Sequence, residues 1–132
     1  MNHTCQIRVY YEDTDAGGVV YYANYLKYAE RGRSEYLRAQ GFENKALMDN
    51  EGVMFVVHRI EADYHAPARL DDLLDMHTEI SEIRSAAFTM EQEIRHGENP
   101  IFNMKVVLVC VNKEGRPARL PGDLKEVLEK NG

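Results

Sequence analysis

Only one long stretch of this chain repeats its apolar residues with helical spacing. From about Tyr22 to Gln40, the residues Tyr25, Tyr28, Ala29, Gly32 and Tyr36 fall on one stripe, while Lys27, Arg31 and Arg38 fall off it. Gly41 follows as a natural C-terminal stop. Ala29 and Gly32 are small, so this stripe lets a sheet approach the helix backbone closely. Before the helix, Cys5, Ile7, Val9 and Tyr11 alternate with polar residues and read as a first strand. After a short helical turn at Lys45–Asn50, the chain reads as strand after strand. Met54, Val56, Ile60, Ala62 and Tyr64 form one alternating face, Leu74, Met76, Thr78 and Ile80 another, and Phe88, Met90 and Ile94 a third. Pro67–Asp72 and Gly97–Pro100 are turn material, and a short last helix runs from Pro121 to about Glu129. One long helix with about five mostly antiparallel strands is an α+β architecture.

The last strand loses its alternation over Val106–Val111, which is apolar at every position. Such a strand needs cover on both faces, and one helix supplies one cover. A second copy of the chain is the expected source of the other.

With 132 residues, 44% of them apolar, the chain fits a single domain over residues 1–132 that needs no disulfide or metal to fold. The net charge of −6, without a basic run, argues against nucleic-acid or anionic-membrane partners. No run is long and apolar enough to span a bilayer, and the first residues show no secretory pattern. Cys5 and Cys110 form no CxxC pair and sit in apolar strands, as inert thiols in a reducing compartment would. A cytoplasmic protein is expected. His58, His65, His77 and His96 lack ligand spacing, so no metal is expected. Ser34 and Ser85 lack the context of a serine nucleophile.

Chemistry concentrates between Arg8 and Arg33. A strand ends in the carboxylate-bearing loop Asp13-Thr14-Asp15-Ala16-Gly17-Gly18, and a helix start follows. A helix N-terminus offers unpaired N–H groups and the positive end of a dipole. A carboxylate held there, beside backbone that glycines open to a ligand, suits acyl transfer: the N–H groups hold an oxyanion while the carboxylate attacks or activates water. By composition alone, an aspartate in this position is more often a cap or turn former.

The string Asp-x-Asp-Ala-Gly-Gly-Val-Val-Tyr-Tyr-Ala-Asn-Tyr over residues 13–25 resembles the signature of the 4-hydroxybenzoyl-CoA thioesterase family of hotdog proteins. It is most similar to the YbgC-type acyl-CoA thioesterases associated with the Tol-Pal system. The likeness continues through Tyr28-Ala29-Glu30-Arg31 and Tyr64–Asp72, and so covers nearly the whole chain. The resemblance implies a hotdog fold, with one long central helix wrapped by a curled antiparallel sheet. It also implies pairing into homodimers or homotetramers with active sites at the dimer interface. The implied activity is hydrolysis of an acyl-CoA thioester to a carboxylic acid and free CoA, with acyl carrier protein as the alternative carrier and no cofactor.

The catalytic carboxylate carried over is Asp15, and the backbone N–H that polarises the thioester carbonyl falls at Tyr22. Relatives often carry histidine at that position; a backbone role survives the change, whereas a side-chain role does not. Gly17, Gly18, Val19, Tyr21 and Tyr25 are the expected substrate-lining residues, with core packing as the equal reading of the two tyrosines. Asp13 is read as ordering the loop. Glu30 is the runner-up carboxylate, because another hotdog branch uses a helical glutamate; its ordinary reading is an ion pair with Arg31, Arg33 or a neighbouring strand. CoA phosphates call for arginines, and Arg59, Arg69, Arg84 and Arg95 are the candidates, with Arg59 put first. The contrasting readings are a silent hotdog scaffold that binds acyl-CoA or acyl carrier protein, and a hotdog hydratase, whose histidine motif is missing.

Overall fold

The computed structural model describes residues 3–131, so the reading of the leaderless start falls partly on residues outside this range. The strands are β1 (His3–Arg8), β2 (Val53–Tyr64), β3 (Leu73–Ile83), β4 (Ala87–His96) and β5 (Asn99–Asn112). The helices are α1 (Asn24–Ala39), the single turn α2 (Asn44–Ala46), which runs on into a π-turn at Leu47–Glu51, and α3 (Gly122–Asn131). All five strands join one antiparallel sheet in the order β1-β3-β4-β5-β2, with α1 against one face. This is the helix-on-sheet α+β architecture of the hotdog fold.

Helix α1 buries the stripe read from its spacing: Tyr25, Tyr28, Ala29, Gly32, Tyr36 and Leu37 face the sheet. The approach is close enough that a Cβ on Gly32 would lie 2.6 Å from Met76 Cγ and 3.0 Å from Thr78 Oγ1. At its C-terminus, Gly41 adopts φ 93°, and the N–H groups of Gly41 and Phe42 donate to the carbonyls of Arg38 (3.0 Å) and Leu37 (2.9 Å). That pair of bonds is the Schellman closure, which Gly permits because it lacks a Cβ.

The inner face of the sheet carries a polar cluster that alternation does not announce. Gln92, 2% exposed, sits in line with Phe88, Met90 and Ile94, opposite Thr78 on β3. Its amide nitrogen donates to the Ala29 carbonyl at 2.8 Å and to Thr78 Oγ1 at 3.0 Å, and its amide oxygen accepts from Arg33 at 3.1 Å. Burial of this amide is tolerated because its polar atoms are paired.

Three expectations need correction. Met54 and Val56 do not share a face with Ile60, Ala62 and Tyr64. A bulge between Val57 and Arg59 inserts one extra residue, which flips the alternation. Before the bulge Phe55 and Val57 pair with Cys110 and Leu108; after it Ile60, Ala62 and Tyr64 pair with Val106, Met104 and Phe102. Met54 and Val56 therefore point outward and are exposed. The β4–β5 turn is shorter than read: only Gly97 and Glu98 lie outside the strands, and Pro100 sits inside β5 opposite Arg95, at a register shift. The first strand stops at Arg8, and Tyr11 begins a 3-10 turn (Tyr11–Asp13) with its ring 83% exposed.

The doubly apolar strand is partly covered from within. Val106, Leu108 and Cys110 face the core, and Val111 is buried beside its bridge to Pro117, while Val107 and Val109 remain half-buried on the other face. Strand β2 is a sheet edge, twelve residues long, with Met54, Val56, Val57 and Ile60 exposed across both of its faces.

Candidate active site

The segment joining β2 to β3 crosses from one edge of the sheet toward the other, and the loop after β1 is built on it. Val9 N–H donates to Asp72 O (2.9 Å), Asp71 N–H to Val9 O (3.0 Å) and Val20 N–H to Ala68 O (2.8 Å), while Val19 bridges to Arg69. Tyr25, read as lining substrate, lies in the core instead. Its ring stacks on Phe102 at 5.2 Å, and its hydroxyl accepts the Ala68 N–H at 3.0 Å, which fixes the crossing segment under the helix start.

Asp13 orders the loop. Its carboxylate accepts the Tyr10 N–H at 2.9 Å, and its carbonyl accepts the Tyr21 N–H at 3.0 Å and Asn24 Nδ2 at 2.8 Å. Burial pushes the nearby Tyr28 hydroxyl far above the ordinary tyrosine range, and the Asp13 carboxylate pushes it the same way. The hydroxyl lies beside Asp13 without reaching hydrogen-bond geometry. Asp13 is thus occupied within the protein.

Asp15 is free for other work. The turn closes by Gly18 N–H to Asp15 O (3.0 Å) and Asp15 N–H to Val19 O (2.9 Å), with Gly18 at φ 77°. Gly17 N–H donates to Asp15 Oδ1 at 2.8 Å, which fixes the carboxylate. Oδ2 has no partner among the described residues, and the side chain is exposed. A Cβ on Gly17 would meet Asp15 Oδ1 at 3.3 Å, so glycine suits this close approach.

Helix α1 begins without a side-chain cap: its N-cap is Ala23. Tyr22 lies just before it, and among the described residues neither the Tyr22 nor the Ala23 N–H is donated to a protein acceptor. The orphan donors of a helix start, with its dipole, therefore remain open beside the Asp15 loop. Tyr64, at the end of β2, holds this start by donating its hydroxyl to the Tyr22 carbonyl at 3.0 Å. Tyr21 and Tyr22 are exposed, with ring centroids 4.9 Å apart.

The arginines separate. Arg59 pairs with Glu61 (2.6 Å) on β2, Arg84 pairs with Glu82 (2.8 Å), and Arg95 pairs with Glu93. Arg69 alone of the four adjoins the Asp15 loop, and no carboxylate among the described residues pairs with its side chain. Glu30 lies a turn and a half into α1, exposed, and accepts a hydrogen bond from Ser34 Oγ at 3.3 Å.

Sequence reading missed a cleft of about 340 Å³ between α1 and the β2 side of the sheet, with apolar walls from Leu37, Phe55, Val57, Phe88, Met90 and Leu108 and a polar side formed by Glu30, Arg33, Ser34 and Asn44. No local pattern announces it, because its walls come from five separate elements. A second concavity, about 630 Å³, lies over the outer face of the sheet among Glu61, Glu79, Glu91 and Lys105, away from the Asp15 loop. Among the described residues no group of three or more His, Cys, Asp or Glu is gathered as metal ligands, and no helix is long and apolar enough to cross a membrane.

Residues 9–128 match the thioesterase-like superfamily. The acyl-CoA thioester hydrolase YbgC of Escherichia coli O6:H1 is 48% identical over 117 residues, which is 87% of either chain. The acyl-CoA thioesterase YbgC of Helicobacter pylori (strain 26695) is 40% identical over 131 residues, covering 92% of this chain and 96% of that one. Among solved structures, a probable thioesterase from Bartonella henselae superposes with a TM-score of 0.89 at 48% identity, over 92% of this chain and all of the other. A family match over residues 9–128 and relatives this similar over this much of the chain lead to one family: the chain belongs to the thioesterase-like superfamily, as a member of its YbgC branch of thioester hydrolases.

Proposed function

We propose that the protein hydrolyses acyl-CoA thioesters to a carboxylic acid and free CoA, with Asp15 as the catalytic carboxylate and the Tyr22 backbone N–H as the oxyanion donor. The observation that carries this reading is the pairing of two free groups: Asp15 Oδ2, on a carboxylate held by Gly17, and the undonated N–H groups at the start of α1. The thioester carbonyl oxygen takes the Tyr22 N–H, whose hydrogen bond strengthens as negative charge develops there. Asp15 Oδ2 then takes a proton from water as its oxygen bonds to the carbonyl carbon. The tetrahedral intermediate collapses with cleavage of the C–S bond, and the proton passes to the departing thiolate. Direct attack by Asp15 would use the same oxygen and yield the same products after water opens the anhydride. No cofactor enters either route.

Gly17, Gly18, Val19 and Tyr21 flank the reacting atoms. Arg69 is the cation best placed for a CoA phosphate, with Arg59 more distant on β2. Cys5 and Cys110 take no part: burial pushes both thiols up, and Glu35 adds to the effect at Cys5. Thiols held in that state suit a cytoplasmic enzyme.

The working unit of this reading is a pair of copies joined through β2, alone or stacked into a tetramer. A long edge strand with apolar side chains on both faces calls for cover. A two-fold pair is isologous, so the two β2 strands run antiparallel. The C-terminal end of one, at Tyr64 beside Tyr22, then lies by the N-terminal end of the other, at Val53–Val57. Within one chain the Arg33 end of the cleft is set back from the helix start, since Arg33 lies nine residues past Asn24, about 14 Å along the axis. Pairing brings the Asp15 loop of one copy to the cleft of the other, and the cleft receives the acyl group.

Release of free thiol from an acyl-CoA panel, aliphatic and aromatic, tests the activity. Turnover above the uncatalysed rate in metal-free buffer is expected. No release from any acyl-CoA would overturn the proposal.

A further inference from the structure

The cleft has an unusual wall. Arg33 is half-buried among apolar side chains, and its hydrogen bond to the Gln92 amide oxygen at 3.1 Å is the only one it makes among the described residues. No carboxylate among those residues forms an ion pair with it. Burial draws the guanidinium down from its ordinary value, while Glu30 acts in the opposite direction. A guanidinium carries five N–H donors in a planar fork that matches a carboxylate, and Gln92 uses one of them. Of the two carboxylates nearest in sequence, Glu35 pairs with Arg38, and Glu30 lines the same cleft without an ion pair to Arg33. Asn44 Nδ2 donates to Ser34 Oγ at 3.1 Å, and Ser34 Oγ donates to Glu30 at 3.3 Å, a chain that lines the cleft beside Arg33. The cation is also held in place, because Gln92 is anchored by Ala29 and Thr78. A fixed, half-buried cation with spare donors and no ion pair, at the side of a largely apolar cleft, is stabilised by an anion that pairs with it directly.

We propose that Arg33 receives the far end of the acyl group, and that the preferred acyl groups are short to medium chains ending in a carboxylate. This rests on the proposed thioesterase reading and on the β2 pairing that puts the reacting carbonyl at the mouth of the cleft. The cleft volume of about 340 Å³ lies near the lower limit of ligand pockets, roughly 300–1,000 Å³, so chain length is bounded as well. Leu37, Phe55, Phe88, Met90 and Leu108 hold the methylenes, and Arg33 pairs with the terminal carboxylate.

The test compares adipyl-CoA with hexanoyl-CoA, six-carbon acyl groups that differ in the terminal carboxylate. In the unaltered protein kcat/KM for adipyl-CoA is expected to exceed that for hexanoyl-CoA. Arg33→Met is expected to lower the adipyl-to-hexanoyl ratio by at least about tenfold, mainly through KM for adipyl-CoA, and Arg33→Lys to restore most of it. A purely structural role for Arg33 would lower both substrates together and leave the ratio unchanged. The inference is overturned if the ratio is the same in a folded Arg33→Met protein. It is equally overturned if the unaltered protein turns over hexanoyl-CoA while rejecting adipyl-CoA, a result that does not depend on any variant folding. Failure to hydrolyse any acyl-CoA would sink the thioesterase reading, and this inference with it; hydrolysis of both substrates with an unmoved ratio sinks this inference alone.

Discussion

Asp15→Asn is expected to lower kcat by about 10²–10⁴-fold while the protein stays folded, because the amide cannot act as the base that a general base catalyst supplies. Asparagine preserves the geometry: its side-chain oxygen can still accept the Gly17 N–H that now reaches Asp15 Oδ1 at 2.8 Å, and the turn closed by Gly18 uses only backbone. The difference therefore isolates the charged oxygen from the loop that carries it. Circular dichroism and melting temperature check the fold, and steady-state thiol release checks the rate. Unchanged turnover in a folded Asp15→Asn protein would remove Asp15 from the chemistry. Glu30→Gln is the companion measurement, since Glu30 is the carboxylate that would inherit the role.

The second large effect concerns stability. Gln92→Met keeps the length of the side chain but removes both ends of a buried network. It leaves the buried Thr78 Oγ1 without its donor and the half-buried Arg33 side chain without its hydrogen bond. The Ala29 carbonyl suffers least, because it can keep its intrahelical bond. A buried polar group left unpaired costs roughly 1–3 kcal/mol, so the two together are expected to cost about 3 kcal/mol, or roughly 10 °C in melting temperature. Thermal and urea unfolding measure this directly. A melting temperature within error of the unaltered protein would mean that the network adds no stability beyond what a well-packed apolar side chain supplies.

These two sites were not equally legible in the sequence. The stripe of α1 and its Gly41 stop follow from local spacing, as does the succession of strands, because one-face burial imposes its period directly on the residues. The bulge at His58 does not: it depends on how β2 meets β5, and by moving one residue it sent Met54 and Val56 to the outside. Gln92 and Thr78 looked like gaps in alternating faces. Only the approach of α1, permitted by Gly32, turns them into a bonded pair. Asp15 stood out through its motif, whereas by composition it was an ordinary loop aspartate. Tyr25 was indistinguishable from Tyr21 in sequence, and the structure separates them, with Tyr25 stacked in the core on Phe102 and Tyr21 at the surface. Arg33 was legible only as a candidate ion-pair partner of Glu30, and its cleft gave no signal, since the walls come from residues far apart along the chain.

The central claim is that each working site joins Asp15 of one copy to the cleft of another, and subunit mixing tests it most directly. Val57→Trp, on the edge strand at the cleft, fills the acyl pocket with a bulky apolar side chain while leaving the Asp15 loop untouched. Asp15→Asn does the reverse. Each protein alone is expected to be nearly silent. When the two are unfolded together and refolded at equal concentration, a mixed pair contains one site made of an intact Asp15 and an intact cleft. Random pairing of copies in a symmetric dimer then restores about a quarter of the activity of the unaltered protein. A mixture that light scattering shows to be paired, yet as silent as its two components, would contradict the account, because it would place Asp15 and the acyl cleft of one site on the same chain.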